Sequence, residues 1–292
     1  MRWAVVALLV LANPRVASAA AADFAKPEAV VILGYDDHAM EPFITRDGRY
    51  LLFNNSNEIP AETDLHIAER IDDRTFQYLG RLEGANSPDL DGVPAMDSAG
   101  NIYFVTLRSY ARDLTTIYRG RLEKGVVTDV VPLTTLTRGI PGQLNFDVDV
   151  SSDGSVMYFV DGLFSGGPVP VAADLAVAIR GADGIFRRVT GDGLDAVNTS
   201  ALEYAAAISN DGLELFFTRI VNGTPGIYRA IRATPSAPWG TAKRVDAITG
   251  FVEAPALSPS GNALYYHARR GDRFVIERVT RSGPSRRRAV PR

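Results

Sequence analysis

Histidine is scarce in this 292-residue chain, occurring as His38, His66 and His267, and cysteine is absent. His38 lies in Tyr35-Asp36-Asp37-His38-Ala39-Met40-Glu41, and His267 follows Tyr266 directly. An imidazole beside a carboxylate can move a proton near neutral pH or hold a divalent metal. Acidic residues recur along the chain as Glu41, Asp91, Asp147, Glu203 and Glu253, each at the start of an apolar segment. Carboxylates brought together repel unless they are solvated, paired with arginine, share a proton or bind a cation. Arg108, Arg112, Arg219 and Arg269 are available as counter-charges.

Two chemistries follow from this set. In the first, Asp36, Glu41, Asp147, Glu203 and Glu253 accept hydrogen bonds from a ligand, Arg219 balances charge, and Tyr35, Tyr110, Phe164 and Tyr204 offer stacking surface. In the second, His38, His267, Glu41 and Glu253 act as acid, base or ligands of a divalent metal in an enzyme acting on a carbohydrate or small metabolite. His66 carries no functional case. Several enzyme classes lack their signatures: there is no G-x-S-x-G elbow, no HExxH helix, no Walker loop, no GxGxxG and no thiol.

The elements that would position these residues are written as a repeat. An apolar strand, a Gly turn and an aromatic strand recur five times, ending in Arg49-Tyr-Leu-Leu-Phe, Asn101-Ile-Tyr-Phe, Ser155-Val-Met-Tyr-Phe, Leu213-Glu-Leu-Phe-Phe and Asn262-Ala-Leu-Tyr-Tyr. The turn glycines Gly48, Gly100, Gly154, Gly212 and Gly261 are 52, 54, 58 and 49 residues apart. A Gly between two alternating apolar runs accepts the positive φ of a tight hairpin turn. A third strand follows each hairpin, and a fourth follows the first four. The fifth unit lacks its own, and the segment Ala29 to Gly34 is expected to supply it. Units of about 50 residues that cannot bury both faces alone predict an all-β, five-bladed β-propeller of four-stranded antiparallel blades, closed by an N-terminal strand that completes the last blade. Closure removes the unpaired strand edges. Phe53, Phe104, Phe159, Phe217 and Tyr266, one per unit, are assigned to the core. In a closed ring the fifth blade adjoins the first, so His38 and His267 are expected to approach each other.

The pattern of Pro, then Ser-Pro-x-Gly or Ser-x-Asp-Gly, then an aromatic strand, plainest in Glu253-Ala-Pro-Ala-Leu-Ser-Pro-Ser-Gly, resembles the WD40-like repeats of TolB-type β-propellers. The resemblance spans all five units. TolB propellers have six blades behind a separate N-terminal domain and bind partner proteins in the periplasm, and this chain departs from both features. Five-bladed propellers include furanosidase-type glycoside hydrolases, which set two carboxylates across the scissile bond; here that analogy is one of fold.

The ends read differently. Met1-Arg2, the apolar run Trp3 to Ala12 and Ala17-Ser-Ala predict a signal peptide over residues 1–19, a single propeller domain over 20–285 and a basic tail at 286–292. The apolar run is too short to span a membrane, so a periplasmic or secreted protein with no membrane span after signal removal is expected. The chain holds 31 basic and 34 acidic residues. Loss of Arg2 and Arg15 leaves a net charge of −5, and the four tail arginines mask a body at −9. An acidic body of this kind excludes a nucleic-acid surface, which needs clustered Lys and Arg. The expected partners are a glycan, a small metabolite or an envelope protein.

Overall fold

The computed structural model describes residues 24–57, 62–167 and 169–282. The expected leader and basic tail lie outside these described residues. The described chain forms five antiparallel sheets set around an axis as the blades of a propeller. Short extended stretches near the start are β1 (Glu28–Ala29) and β2 (Val31–Leu33). Blade 1 contains β3 (Met40–Ile44), β4 (Tyr50–Asn54), β5 (Leu65–Arg70) and β6 (Thr75–Arg81). Blade 2 contains β7 (Asp91–Met96), β8 (Asn101–Thr106), β9 (Ile117–Glu123) and β10 (Val126–Pro132). Blade 3 contains β11 (Gln143–Val150), β12 (Val156–Leu163), β13 (Ala172–Arg180) and β14 (Phe186–Arg188). Blade 4 contains β15 (Leu202–Ile208), β16 (Glu214–Val221), β17 (Thr224–Ile231) and β18 (Lys243–Arg244). Blade 5 contains β19 (Val252–Leu257), β20 (Ala263–Arg270) and β21 (Arg273–Thr280).

β1 completes blade 5 by pairing with β21, Glu28 opposite Arg278 and Ala29 opposite Glu277. The closing strand is shorter than expected. Val31 to Leu33 leaves blade 5 and runs parallel to β6, giving blade 1 a fifth strand. The reason is local. Val30 N–H donates to Ile276 O at 3.0 Å and Val31 N–H to Arg74 O at 2.7 Å. Successive N–H groups of an extended chain point to opposite sides, so one segment lying between two blades pairs with both. Arg278 ties the same seam, meeting Glu28 at 3.0 Å and the main chain of Asp73 in blade 1 at 3.0 Å.

Each inner strand carries a β-bulge in the same register. Two residues, Glu41-Pro42, Val93-Pro94, Asp147-Val148, Ala205-Ala206 or Ala254-Pro255, stand opposite one residue of the second strand. That one residue is Phe53, Phe104, Phe159, Phe217 or Tyr266, all fully buried. A bulge leaves its extra residue outside the ladder and re-aims the chain, which is why proline is tolerated at three of the five second positions. The first bulge residue is left-handed in every blade, with φ of 49° to 54° at Glu41, Val93, Asp147, Ala205 and Ala254. Burying each aromatic contributes about 2–3 kcal/mol and offsets the strain of the turn it packs beneath.

Candidate functional site

The bulges line the central channel, and they sort the acidic residues expected at the inner-strand entrances into two groups. Glu41 and Asp147 occupy the bulge position itself and Glu253 the position before it, and Glu41 and Asp147 line the channel cavity. Asp91 and Glu203 lie one residue further back and are fully buried within their own blades. Asp91 accepts hydrogen bonds from Ser87 Oγ at 2.7 Å and Arg108 Nη2 at 2.6 Å. Glu203 repeats the arrangement with Thr199 Oγ1 at 2.6 Å and Arg219 Nε at 2.7 Å. These pairs clamp the loop before an inner strand to the second strand, and they occupy two of the expected counter-charges. Arg112 pairs with its neighbour Asp113, and Arg269 donates to Gly271 O.

His267 sits fully buried between the two parts of the cluster. Its Nδ1 accepts the main-chain N–H of Glu41 at 3.2 Å, so the ring proton rests on Nε2, which donates to Glu253 Oε2 at 3.1 Å. The same job recurs around the ring. Asn54 Oδ1 accepts the Val93 N–H and Thr218 Oγ1 the Ala254 N–H, both at 3.0 Å. Asn54, Thr218 and His267 each follow the buried aromatic of their blade, so one register position staples a blade to the bulge of the next. Val160 has no acceptor there, and Asp147 Oδ2 takes the Ala205 N–H instead, at 3.1 Å.

The side chain of Glu41 accepts from Asn57 Nδ2 at 2.8 Å, and the Tyr204 hydroxyl donates to Glu253 Oε1. These surroundings separate the carboxyls electrostatically. Burial raises the pKa of Asp147 well above the usual carboxylate range, and the neighbouring charges of Glu41 and Glu253 add to the rise. Burial raises Glu41 as well, opposed by His267 and Asn57. Burial alone would raise Glu253, yet the hydrogen bonds from His267 and Tyr204 and the charge of His267 hold it below its ordinary value. Burial works against an imidazolium at His267, while Glu253 and Glu41 favour it and carry the balance upward. Burial and the Glu253 charge keep Tyr204 protonated.

The far end of the channel is closed. Arg46 donates to Met96 O of blade 2 at 3.0 Å and to Asp149 Oδ1 of blade 3 at 3.3 Å, and Asp149 Oδ2 accepts the Ile208 N–H of blade 4 at 2.8 Å. The cavity between this bridge and the acidic mouth is about 30 Å³, room for about two water molecules.

The remaining sequence-derived candidates lie elsewhere. His38 and His267 do not meet: each packs edge-on against Phe274, at centroid distances of 5.8 and 5.5 Å. His38 Nδ1 accepts the Phe274 N–H at 3.0 Å, which places it in the blade 5 to blade 1 seam. Tyr35 packs against Phe53 and Tyr78 and donates to His38 O at 2.7 Å. Asp36 is exposed on the same loop. Tyr110 starts a single helical turn and accepts the Gly142 N–H, and Phe164 packs on Phe146. Asn57, Asn54 and Thr218 escaped the sequence reading. The last two share the register of His267, a signal visible in the repeat, whereas nothing in the sequence marks Asn57. Among the described residues no group of three or more His, Asp or Glu is disposed to hold a metal ion, so the divalent metal considered for the histidines has no preformed site there.

No protein-family model matches the chain, and no curated protein matches it. Solved structures do. A glycoside hydrolase superposes with a TM-score of 0.63 at 13% identity over 92% of this chain and 95% of its own. The catalytic domain of a Coprinopsis cinerea GH62 α-L-arabinofuranosidase gives 0.59 at 12% identity, over 90% and 98%. TolB from Acinetobacter baumannii gives 0.49 at 17% identity, over 85% of this chain and 55% of TolB. At these identities the likeness establishes the fold alone, and the TolB-type resemblance of the repeat is not specifically borne out.

Proposed function

We propose that this chain is an exported propeller, its leader removed, that binds a glycan over the acidic mouth of its central channel. The carrying observation is the convergence of Glu41, Asp147, Glu253 and Tyr204 from four separate entries into the mouth, three of them carboxyls whose pKa values are shifted in opposite directions, Asp147 and Glu41 upward by burial and Glu253 downward by its hydrogen bonds. A sugar presents hydroxyls that both donate and accept, and carboxyls that differ in how readily they give up a proton answer both. The glycoside hydrolases that share the fold support a carbohydrate ligand. No helix among the described residues is long and apolar enough to cross a membrane. A glycan array followed by calorimetry checks the reading: Glu253→Gln is expected to weaken the retained glycan about tenfold, the loss of one charged hydrogen-bonding partner. Unchanged affinity would move the site away from the mouth.

One observation favours a second reading, an enzyme acting on a carbohydrate. Burial raises the pKa of Asp147 while the hydrogen bonds from His267 and Tyr204 lower that of Glu253, and carboxyls whose surroundings push them apart are suited to the roles of general acid and base. In this version Asp147 protonates the leaving oxygen as the glycosidic bond breaks, Glu253 takes a proton from the water that bonds to the anomeric carbon in its place, and His267 holds Glu253 in position. A panel of nitrophenyl glycosides separates the readings: turnover by the wild type that disappears in Asp147→Asn supports catalysis, and binding without turnover supports the first.

A further inference from the structure

We propose that Phe251 is a stacking platform for the sugar ring whose hydroxyls reach Glu253, so that the preferred glycan is built of pyranose rings with equatorial hydroxyls; this rests on the glycan-binding reading and narrows its ligand class. Strand alternation is the first argument. Phe251 O accepts the Arg269 N–H at 3.0 Å, which extends the ladder between β19 and β20 one residue outward from the Val252 and Ala268 pair. Val252 is fully buried. Successive side chains of a strand point to opposite faces, so Phe251 and Glu253 share the other face, about 7 Å apart along it. His267, directly opposite Glu253, lies on that face as well.

Exposure and support are the second argument. The Glu253 side chain is 16% exposed, whereas Glu41 and Asp147 are buried, so a ligand arriving from solvent meets Glu253 first. Its two oxygens take one hydrogen bond each, from His267 and from Tyr204, and a carboxylate accepts about four. Phe251 is the one exposed aromatic ring among the described residues, at 37%. Single exposed apolar residues are ordinary, but this one is held beside the mouth. Phe274 packs edge-on against it at 6.0 Å and against His267 at 5.5 Å. Phe274 is itself fixed across the blade 5 to blade 1 seam, its N–H bonded to His38 Nδ1 and its O to the Ala39 N–H, each at 3.0 Å. A row of packed rings thus joins the platform to the residue that holds Glu253, and an ordered platform loses little freedom when a ligand covers it.

The pairing of groups selects the ligand. An aromatic ring beside a hydrogen-bonding carboxylate suits a molecule that is apolar on one face and polar at its edge. A pyranose with equatorial hydroxyls has that form: axial C–H bonds line its faces and the hydroxyls radiate from its rim. The C–H groups meet the negative face of the phenyl ring, while a rim hydroxyl donates to Glu253. A furanose is smaller and puckered, and its hydroxyls interrupt both faces, so it covers the platform poorly.

The test is titration calorimetry of the full chain with cellotetraose, an all-equatorial pyranose chain, and α-1,5-arabinotetraose, a furanose chain. The wild type is expected to bind cellotetraose about fivefold more tightly than arabinotetraose. Phe251→Ala is expected to weaken cellotetraose about tenfold and arabinotetraose no more than about twofold, which removes the preference. Phe251→Leu keeps an apolar contact to Phe274 without a π face; it serves should the alanine variant unfold, and is expected to weaken cellotetraose about threefold. Phe251→Trp is expected to hold the affinity, and its new indole to shift emission to shorter wavelength when cellotetraose covers it, over the constant background of the buried Trp239. Equal affinity for the two tetramers, or cellotetraose binding that survives both Phe251→Ala and Phe251→Leu, overturns the platform. Tetramers that bind regardless of Phe251 and are weakened by Glu253→Gln would leave the glycan reading standing without it, and no binding by either tetramer would overturn both.

Discussion

At the scale of single residues, His267 shows how a side chain that reads as chemistry also serves architecture. Its Nδ1 does for the blade 5 to blade 1 seam what Asn54 and Thr218 do for two others, while its Nε2 reaches Glu253 in the mouth. Removing the ring leaves two buried polar groups without partners, so His267→Ala is expected to destabilise the fold by about 2–4 kcal/mol in urea unfolding. His267→Asn supplies the acceptor that Asn54 already supplies in blade 1, and it is expected to recover about half of that loss. An asparagine no better than alanine would mean that the contact to Glu253, and not the staple, carries the stability. By the same logic Asp91 and Glu203, candidates by residue type, belong with the arginines that clamp them: being fully buried in ion pairs, they are unavailable to a ligand at the mouth.

At the scale of elements, the ring depends on a very short closing strand. Val30 donates the hydrogen bond that ends the pairing with blade 5, to Ile276 O. Val30→Pro removes that donor, a change expected to cost about 3 kcal/mol and to lower the melting temperature by about 6–12 °C for a domain of this size. It also exposes the edge of β21, so concentration-dependent aggregation on heating should accompany the shift; a variant that melts like the wild type would show that side-chain contacts alone close the ring. The repeat made most of this legible beforehand. Five turn glycines and five aromatics fixed the blades, because hairpin chemistry and core burial are local in sequence. The division of residues 28 to 33 between two blades was not legible, since which side of a strand finds a partner depends on what the ring places there. Nor was the bulge. It shifts Glu41 and Asp147 into the channel and leaves Asp91 and Glu203 behind, although all four begin similar apolar runs. The offset is two residues, since Glu41 and Asp147 stand seven residues before their turn glycines and Asp91 and Glu203 nine, but that count is silent on the bulge that decides which of the two positions faces the axis.

At the scale of the whole molecule, the mouth ties stability to pH. Asp147 and Glu41 hold protons in the fold above the usual carboxylate range, whereas in the unfolded chain such groups ionise near pH 4. Between those limits the folded state binds more protons, so these groups stabilise it fully at pH below about 4 and their contribution fades as pH rises through the folded values. His267, which Glu253 and Glu41 also shift upward, is not counted with them, because a proton on Nδ1 would break the hydrogen bond that it accepts from the Glu41 N–H. Glu253 and the turn carboxylates Asp153 and Asp183, the last held at about 2, are shifted downward. Their contribution is present above the ordinary carboxylate range and is lost only as pH falls toward the folded values. The two sets oppose each other in acid, and above about pH 5 only the first still varies. Scanning calorimetry from about pH 5 to pH 8 is therefore expected to show the melting temperature falling as pH rises, by roughly 3–5 °C per pH unit for each group titrating. Asp147→Asn cannot ionise, so its curve should be flatter than that of the wild type. Parallel curves for the two proteins would mean that Asp147 is already ionised in the fold, and the neutral carboxyl assigned to the channel mouth would have to be abandoned.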